Sequence, residues 1–125
     1  LNSKNFGVPQ NRERIYIVAF KNKSCSQRFE FPTPIPLTKT INDLLTKEKV
    51  DDKYYYKKGS CYFYNKLVTS IKKDSTIYQW RRKYVRENKS NVCPTLTANM
   101  GMGGHNVPII KTKYGFRKLQ NCTLG

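Results

Sequence analysis

Acidic residues are scarce: eight Asp and Glu stand against 24 Lys and Arg in 125 residues, a formal charge of +16. That imbalance far exceeds what solubility requires and creates a field that selects a polyanion as partner. Histidine occurs once, at His105, and Cys25, Cys61, Cys93 and Cys122 are widely spaced with no C-x-x-C pair. The ligand spacing of a zinc site is therefore missing, and reduced structural thiols in a cytoplasmic protein are the expectation. No apolar run approaches the roughly 18 residues of a spanning helix and no lipidation signal is visible, which favours nucleic acid over an anionic membrane. Neither an initiator Met nor an apolar signal core opens the chain, so its start is expected upstream. Internal repeats and low-complexity tracts are also missing.

What is present suits one packed domain: 38% of residues are hydrophobic and 13% aromatic, gathered in short patterned runs. Asn5 to Gln10 carries Gly and Pro punctuation and leads into Glu13-Arg14-Ile15-Tyr16-Ile17-Val18-Ala19-Phe20. That run is apolar on both faces, which predicts a strand central to a sheet, completed by a neighbouring domain. Residues 21–36 read as a crossing segment, because Pro32, Pro34 and Pro36 exclude helix and ladder pairing around them. Thr40 is expected to cap a short helix carrying Ile41, Leu44 and Leu45, with Asp43 completing an approximate capping box. Ser60 is expected to cap a second helix with Phe63, Leu67 and Ile71 on one face. Short strands are predicted at 76–80, 84–85, 95–98 and 107–110.

Three segments could carry chemistry. Arg81-Arg82-Lys83-Tyr84-Val85-Arg86-Glu87-Asn88-Lys89 follows Trp80 and holds five basic residues to one acidic. Arginines bond phosphates and guanine edges bidentately while aromatics stack on bases, so Arg81, Arg82 and Arg86 are candidate DNA contacts, against the plainer reading of a solvated strand face. Asn99-Met100-Gly101-Met102-Gly103-Gly104-His105-Asn106 places three glycines in four residues, which permits close backbone approach to a ligand. The strand and helix of a dinucleotide loop do not flank it, so Asn99, Gly101, Gly103 and His105 are read as a DNA-contacting loop, with a plain turn as the alternative. Gln10-Asn11-Arg12-Glu13-Arg14 points Gln10, Arg12 and Arg14 to one side of an extended chain, an arrangement that needs an anion or a carboxylate partner.

Together, Phe6-Gly7-Val8-Pro9-Gln10-Asn11-Arg12-Glu13-Arg14-Ile15-Tyr16-Ile17-Val18 resembles the eighth conserved motif of the cytosine-5 DNA methyltransferases. Pro94-Thr95-Leu96-Thr97-Ala98-Asn99-Met100-Gly101, followed by Gly115-Phe116-Arg117-Lys118-Leu119, is similar to the end of that family's target recognition domain and the start of its ninth motif. The resemblance implies S-adenosylmethionine as methyl donor, a Pro-Cys nucleophile that attacks C6 of a flipped cytosine, and a Glu-Asn-Val glutamate at N3. Neither motif occurs here; Val92-Cys93-Pro94 has the order reversed. It further implies that Arg14 bonds O2 of the flipped cytosine, Arg12 helps hold the catalytic loop and Arg14, Gln10 braces both, and Thr95 touches phosphate beside the target base. Gln120-Asn121-Cys122-Thr123-Leu124-Gly125 departs from the family's Thr-Pro continuation.

The expectation is an α+β piece: an irregular β-rich recognition module with short helices, plus one strand of a catalytic α/β sheet. Residues 1–20 would end the catalytic sheet, 21–36 cross over, 37–116 form the target recognition domain, and 117–125 start the ninth motif. The implied partners are double-stranded DNA and the catalytic domain of the same polypeptide, in a bacterial or phage restriction-modification setting. S-adenosylmethionine would serve the full-length enzyme, with none bound by this chain alone, which is expected to be inactive by itself. A tRNA cytosine methyltransferase and a stand-alone basic RNA-binding protein are the alternatives.

Overall fold

A computed structural model describes residues 1–97 and 106–119. Its centre is a four-stranded antiparallel sheet, β1 (Tyr78–Trp80), β2 (Val85–Glu87), β3 (Pro108–Thr112) and β4 (Gly115–Lys118), in the order β2-β1-β3-β4. Three short helices accompany it, α1 (Lys23–Arg28), α2 (Ile41–Leu44) and α3 (Tyr64–Ser70). This is the α+β, β-rich architecture expected. Pro108 is tolerated because it is the first residue of its strand.

The period-two alternation of the strands builds two apolar layers. On one face Tyr78, Trp80, Ile109 and Phe116 meet Leu67 and Ile71, which lie one helical turn apart at the end of α3. On the other face Ile77 and Ile110 pack with Ile41 of α2 and with Cys93. Phe63 stacks on Trp80 with centroids 4.6 Å apart and planes 6° from parallel, and the Trp80 indole N–H donates to the Tyr62 hydroxyl at 3.1 Å. Arg117, cross-strand from Ile110, is only 2% exposed and donates from Nη2 to the Thr46 carbonyl at 2.6 Å.

α2 forms as expected. Both the Thr40 amide and its hydroxyl donate to the Asp43 carboxylate, at 2.7 and 2.8 Å, and those bonds hold the Asp43 pKa below its ordinary value. α3 starts later than expected, at Tyr64 after Phe63, because the Ser60 hydroxyl is spent on the Lys57 carbonyl in a turn where Gly59 takes φ +92°. α1 was not anticipated; it precedes the prolines, which keep 32–36 free of helix.

One strand expectation is corrected. Residues 95–97 join no ladder; only Cys93 makes an isolated bridge, to Gln10, while Ala98 lies outside the described residues. Residues 14–20, expected to join a sheet with a neighbouring domain, form no strand by themselves, and Ile15 and Ile17 are each 92% exposed. A run apolar on both faces needs cover on both, and among the described residues Phe29 packs on Phe20 while Ile15 and Ile17 stay bare.

Candidate nucleic-acid interface

The loop carrying Gln10, Arg12 and Arg14 is closed by short antiparallel pairing of residues 1–3 with 12–14. The Ser3 amide donates to the Arg12 carbonyl at 3.2 Å, the Arg14 amide to the Leu1 carbonyl at 2.8 Å, and Asn2 and Glu13 form a bridge. Within the loop the Ser3 hydroxyl donates to the Gln10 carbonyl at 2.6 Å.

This loop is docked onto residues 93–95. The Asn11 amide donates to the Cys93 carbonyl, and the Cys93 amide to the Pro9 carbonyl, each at 2.7 Å. The Thr95 hydroxyl donates to the Asn11 carbonyl at 2.6 Å, joining residues 84 positions apart. Two segments singled out separately in the sequence, Gln10 to Arg14 and Pro94 to Thr97, therefore form one unit.

Beside the junction opens a groove of about 620 Å³, bordered among others by Asn11, Arg86, Glu87, Lys89, Pro94 and Thr95. Arg86 sits opposite Gln79 on the edge strand β2, so both side chains project from one face. The acid nearest in sequence, Glu87, is neutralised by Lys73 at 2.7 Å, and the bond holds the Lys73 pKa above its usual value. The remaining ion pairs among the described residues join Lys53 to Asp51 and Lys57 to Asp52. Arg12, Arg14, Arg82 and Arg86, all exposed, thus have no carboxylate partner among the described residues.

The sequence-singled residues separate in this setting. Gln10 and Thr95 meet at the junction, and Arg86 lines the same groove as Thr95, whereas Arg12 and Arg14 lie further along the loop, where it pairs with Ser3 and Leu1. Arg14 donates from Nη1 to the Glu13 carbonyl at 2.6 Å, which aims its guanidinium without neutralising it. Arg82 occupies the turn between β1 and β2 at φ +63°. Arg81 is engaged: its Nη1 donates to Asn106 Oδ1, while Gln79 Nε2 donates to the Asn106 carbonyl at 3.1 Å. Trp80, read as a base-stacking neighbour of the arginines, is instead 5% exposed and stacked on Phe63, whereas Tyr84 is exposed. Asn99, Gly101, Gly103 and His105 lie outside the described residues. Asn2 escaped the sequence reading, because its contacts with Asn11, Arg12 and Glu13 span nine to eleven positions and no local pattern marks them.

Burial pushes the Cys93 thiol up to about 11, so little thiolate exists at neutral pH and the reversed Val92-Cys93-Pro94 does not supply a nucleophile. Alkylation of Cys93 by iodoacetamide at pH 8 should accordingly run about a hundredfold slower than that of an unburied thiol. Mass spectrometry of timed samples checks this, and modification at the unburied rate would contradict it. No group of three metal-ligating side chains and no helix long and apolar enough to cross a membrane occurs among the described residues.

A family model described as C-5 cytosine-specific DNA methylase matches residues 1–122. The chain is 63% identical over 121 residues to the Type II methyltransferase M.Bsp6I of Bacillus sp. (strain RFL6), covering 95% of this chain and 38% of that protein. It is 47% identical over 55 residues to the Type II methyltransferase M.HpaII of Haemophilus parainfluenzae, 44% of this chain and 15% of the relative. With the Type II methyltransferase M.HaeII of Haemophilus aegyptius it shares 39% identity over 74 residues, 59% of this chain and 22% of the relative. The chain thus spans well under half the length of each of these curated relatives. No solved structure matches it.

Proposed function

The chain belongs to the C-5 cytosine-specific DNA methylase family, and from that membership we propose that it is the DNA-recognition portion of a Type II cytosine-5 methyltransferase. In this reading the whole protein transfers a methyl group from S-adenosylmethionine to C5 of a cytosine flipped out of a short duplex sequence, within restriction-modification. Arg14 donates to O2 of the flipped base, Arg12 and Gln10 hold it in place, and Thr95 borders the adjacent phosphate. Arg82, Arg86 and the segment from Asn99 to His105 contact the duplex.

The observation that carries the reading is the Thr95 hydroxyl on the Asn11 carbonyl at 2.6 Å. It ties the arginine loop to a groove bordered by Arg86 and Lys89. An arginine and a lysine at an open groove, without carboxylate partners among the described residues, suit phosphates and base edges. The same groove does not suit the donor, whose sulfonium cation would face Arg86 and Lys89 while Glu87 is already paired with Lys73. Donor pocket and nucleophile accordingly belong to the rest of the polypeptide, against which residues 1–20, with the exposed Ile15 and Ile17, would pack.

Cells expressing the full-length gene should yield DNA protected from a subset of a restriction-enzyme panel, with 5-methylcytosine at one short sequence. Unprotected DNA together with methyl label in tRNA would turn the reading to a tRNA cytosine methyltransferase.

A further inference from the structure

Asn2 is polar yet only 6% exposed, and all the hydrogen-bonding capacity of its side chain is spent. Its Nδ2 donates to Asn11 Oδ1 at 2.7 Å and to Glu13 Oε1 at 3.3 Å. Its Oδ1 accepts from the Arg12 amide at 3.1 Å and from the Lys4 amide at 3.3 Å. A side-chain amide offers two donors and an acceptor oxygen with two lone pairs, so the group is fully satisfied. Three of its four bonds go to Asn11, Arg12 and Glu13, the residues that lead into Arg14 or flank it. Aspartate cannot make the two donations, and alanine can make none of the four bonds.

Building on the proposed role of Arg14, we infer that Asn2 is a positioning residue for the reaction: it fixes the Asn11 to Glu13 segment and thereby the aim of Arg12 and Arg14. The Glu13 carbonyl receives the Arg14 guanidinium and the Glu13 carboxylate receives Asn2, so displacement of Glu13 moves the arginine with it. The backbone bonds of Ser3 with Arg12 and of Arg14 with Leu1 do not involve the Asn2 side chain. Loss of that side chain therefore loosens the loop without releasing it, and a misplacement of about 1 Å at a reacting group can cost on the order of a hundredfold in rate.

The test is a double-mutant cycle in the full-length protein, assayed with tritiated S-adenosylmethionine and bulk unmethylated plasmid DNA. Asn2→Ala should lower kcat roughly tenfold with KM and DNA affinity within about twofold. In an Arg14→Ala background it should add less than about twofold, because residues acting through one another are not additive. Asn2→Ser, which is polar but adds no buried charge against the Glu13 carboxylate, should show the same non-additivity, and replaces Asn2→Ala if that variant does not accumulate folded. Unchanged kcat, or losses that multiply in the double variant, would overturn the inference while leaving the role of Arg14 standing. An Arg14→Ala variant of normal rate would overturn both.

Discussion

Arg14→Ala in the full-length protein is expected to slow methyl transfer roughly tenfold to a hundredfold while changing duplex affinity much less. A hydrogen bond from a charged donor contributes about 1.5–3 kcal/mol, and each 1.4 kcal/mol is a factor of about ten in rate. The split between rate and affinity follows from the role proposed for Arg14. Arg14 is aimed by the Glu13 carbonyl and held through its own amide on the Leu1 carbonyl, at the end of the arginine loop and outside the residues bordering the Arg86 groove. A group that contacts only the flipped base stabilises the reacting complex more than the initial encounter with duplex. Single-turnover rates and equilibrium binding measured on the same preparations check this. Equal losses in both would place Arg14 among ordinary phosphate contacts.

Leu67→Ala should destabilise the fold by about 2–5 kcal/mol, a large share of the roughly 5–15 kcal/mol available to a small domain. Leu67 is fully buried between α3 and the sheet, in a cluster with Ile71, Tyr78, Trp80, Ile109 and Phe116 that has little freedom to collapse around a cavity. Val68, the next residue, is 48% exposed, and Val68→Ala should stay within about 0.5 kcal/mol. Trp80 is the one tryptophan of the chain and packs in the same cluster, so urea titrations followed by its fluorescence report the loss directly. A shift for Leu67→Ala no larger than that for Val68→Ala would mean α3 does not pack as described.

Features set by neighbours in sequence were legible in the sequence. The Thr40–Asp43 box closes over three residues, and Leu67 and Ile71 declare their shared face through helical spacing. Recognition of the arginine loop came from its likeness to a family motif. What it docks on, Cys93 and Thr95 across more than eighty residues, has no local signature. Trp80 was misread because aromatics beside arginines suit both base stacking and a core, and only the stacked Phe63 decides between them. The burial of Arg117 on the Thr46 carbonyl was equally invisible, since nothing near either residue announces the contact. Glu13 to Phe20 shows the limit from the other side: its apolar pattern calls for cover on two faces, and the described residues leave Ile15 and Ile17 bare, with Phe29 against Phe20.

Recognition of a specific duplex by the arginines of this chain is tested most directly by the affinities of the full-length protein for cognate and random duplex across a salt series. Wild type is compared with Arg82→Gln, Arg86→Gln, Arg81→Gln and a variant neutralised at the exposed Lys47, Lys72 and Lys113. Phosphate contacts release counterions, with a salt slope near −0.9 per phosphate, whereas a base-edge contact discriminates by about 1–3 kcal/mol. The lysine variant should therefore weaken both duplexes alike and flatten the slope. Arg82→Gln and Arg86→Gln should cut the cognate-to-random ratio roughly fivefold or more. Arg81→Gln should act more weakly, because its guanidinium is already on Asn106. A ratio unchanged in all three arginine variants would contradict the account and move sequence reading to the segment from Asn99 to Asn106.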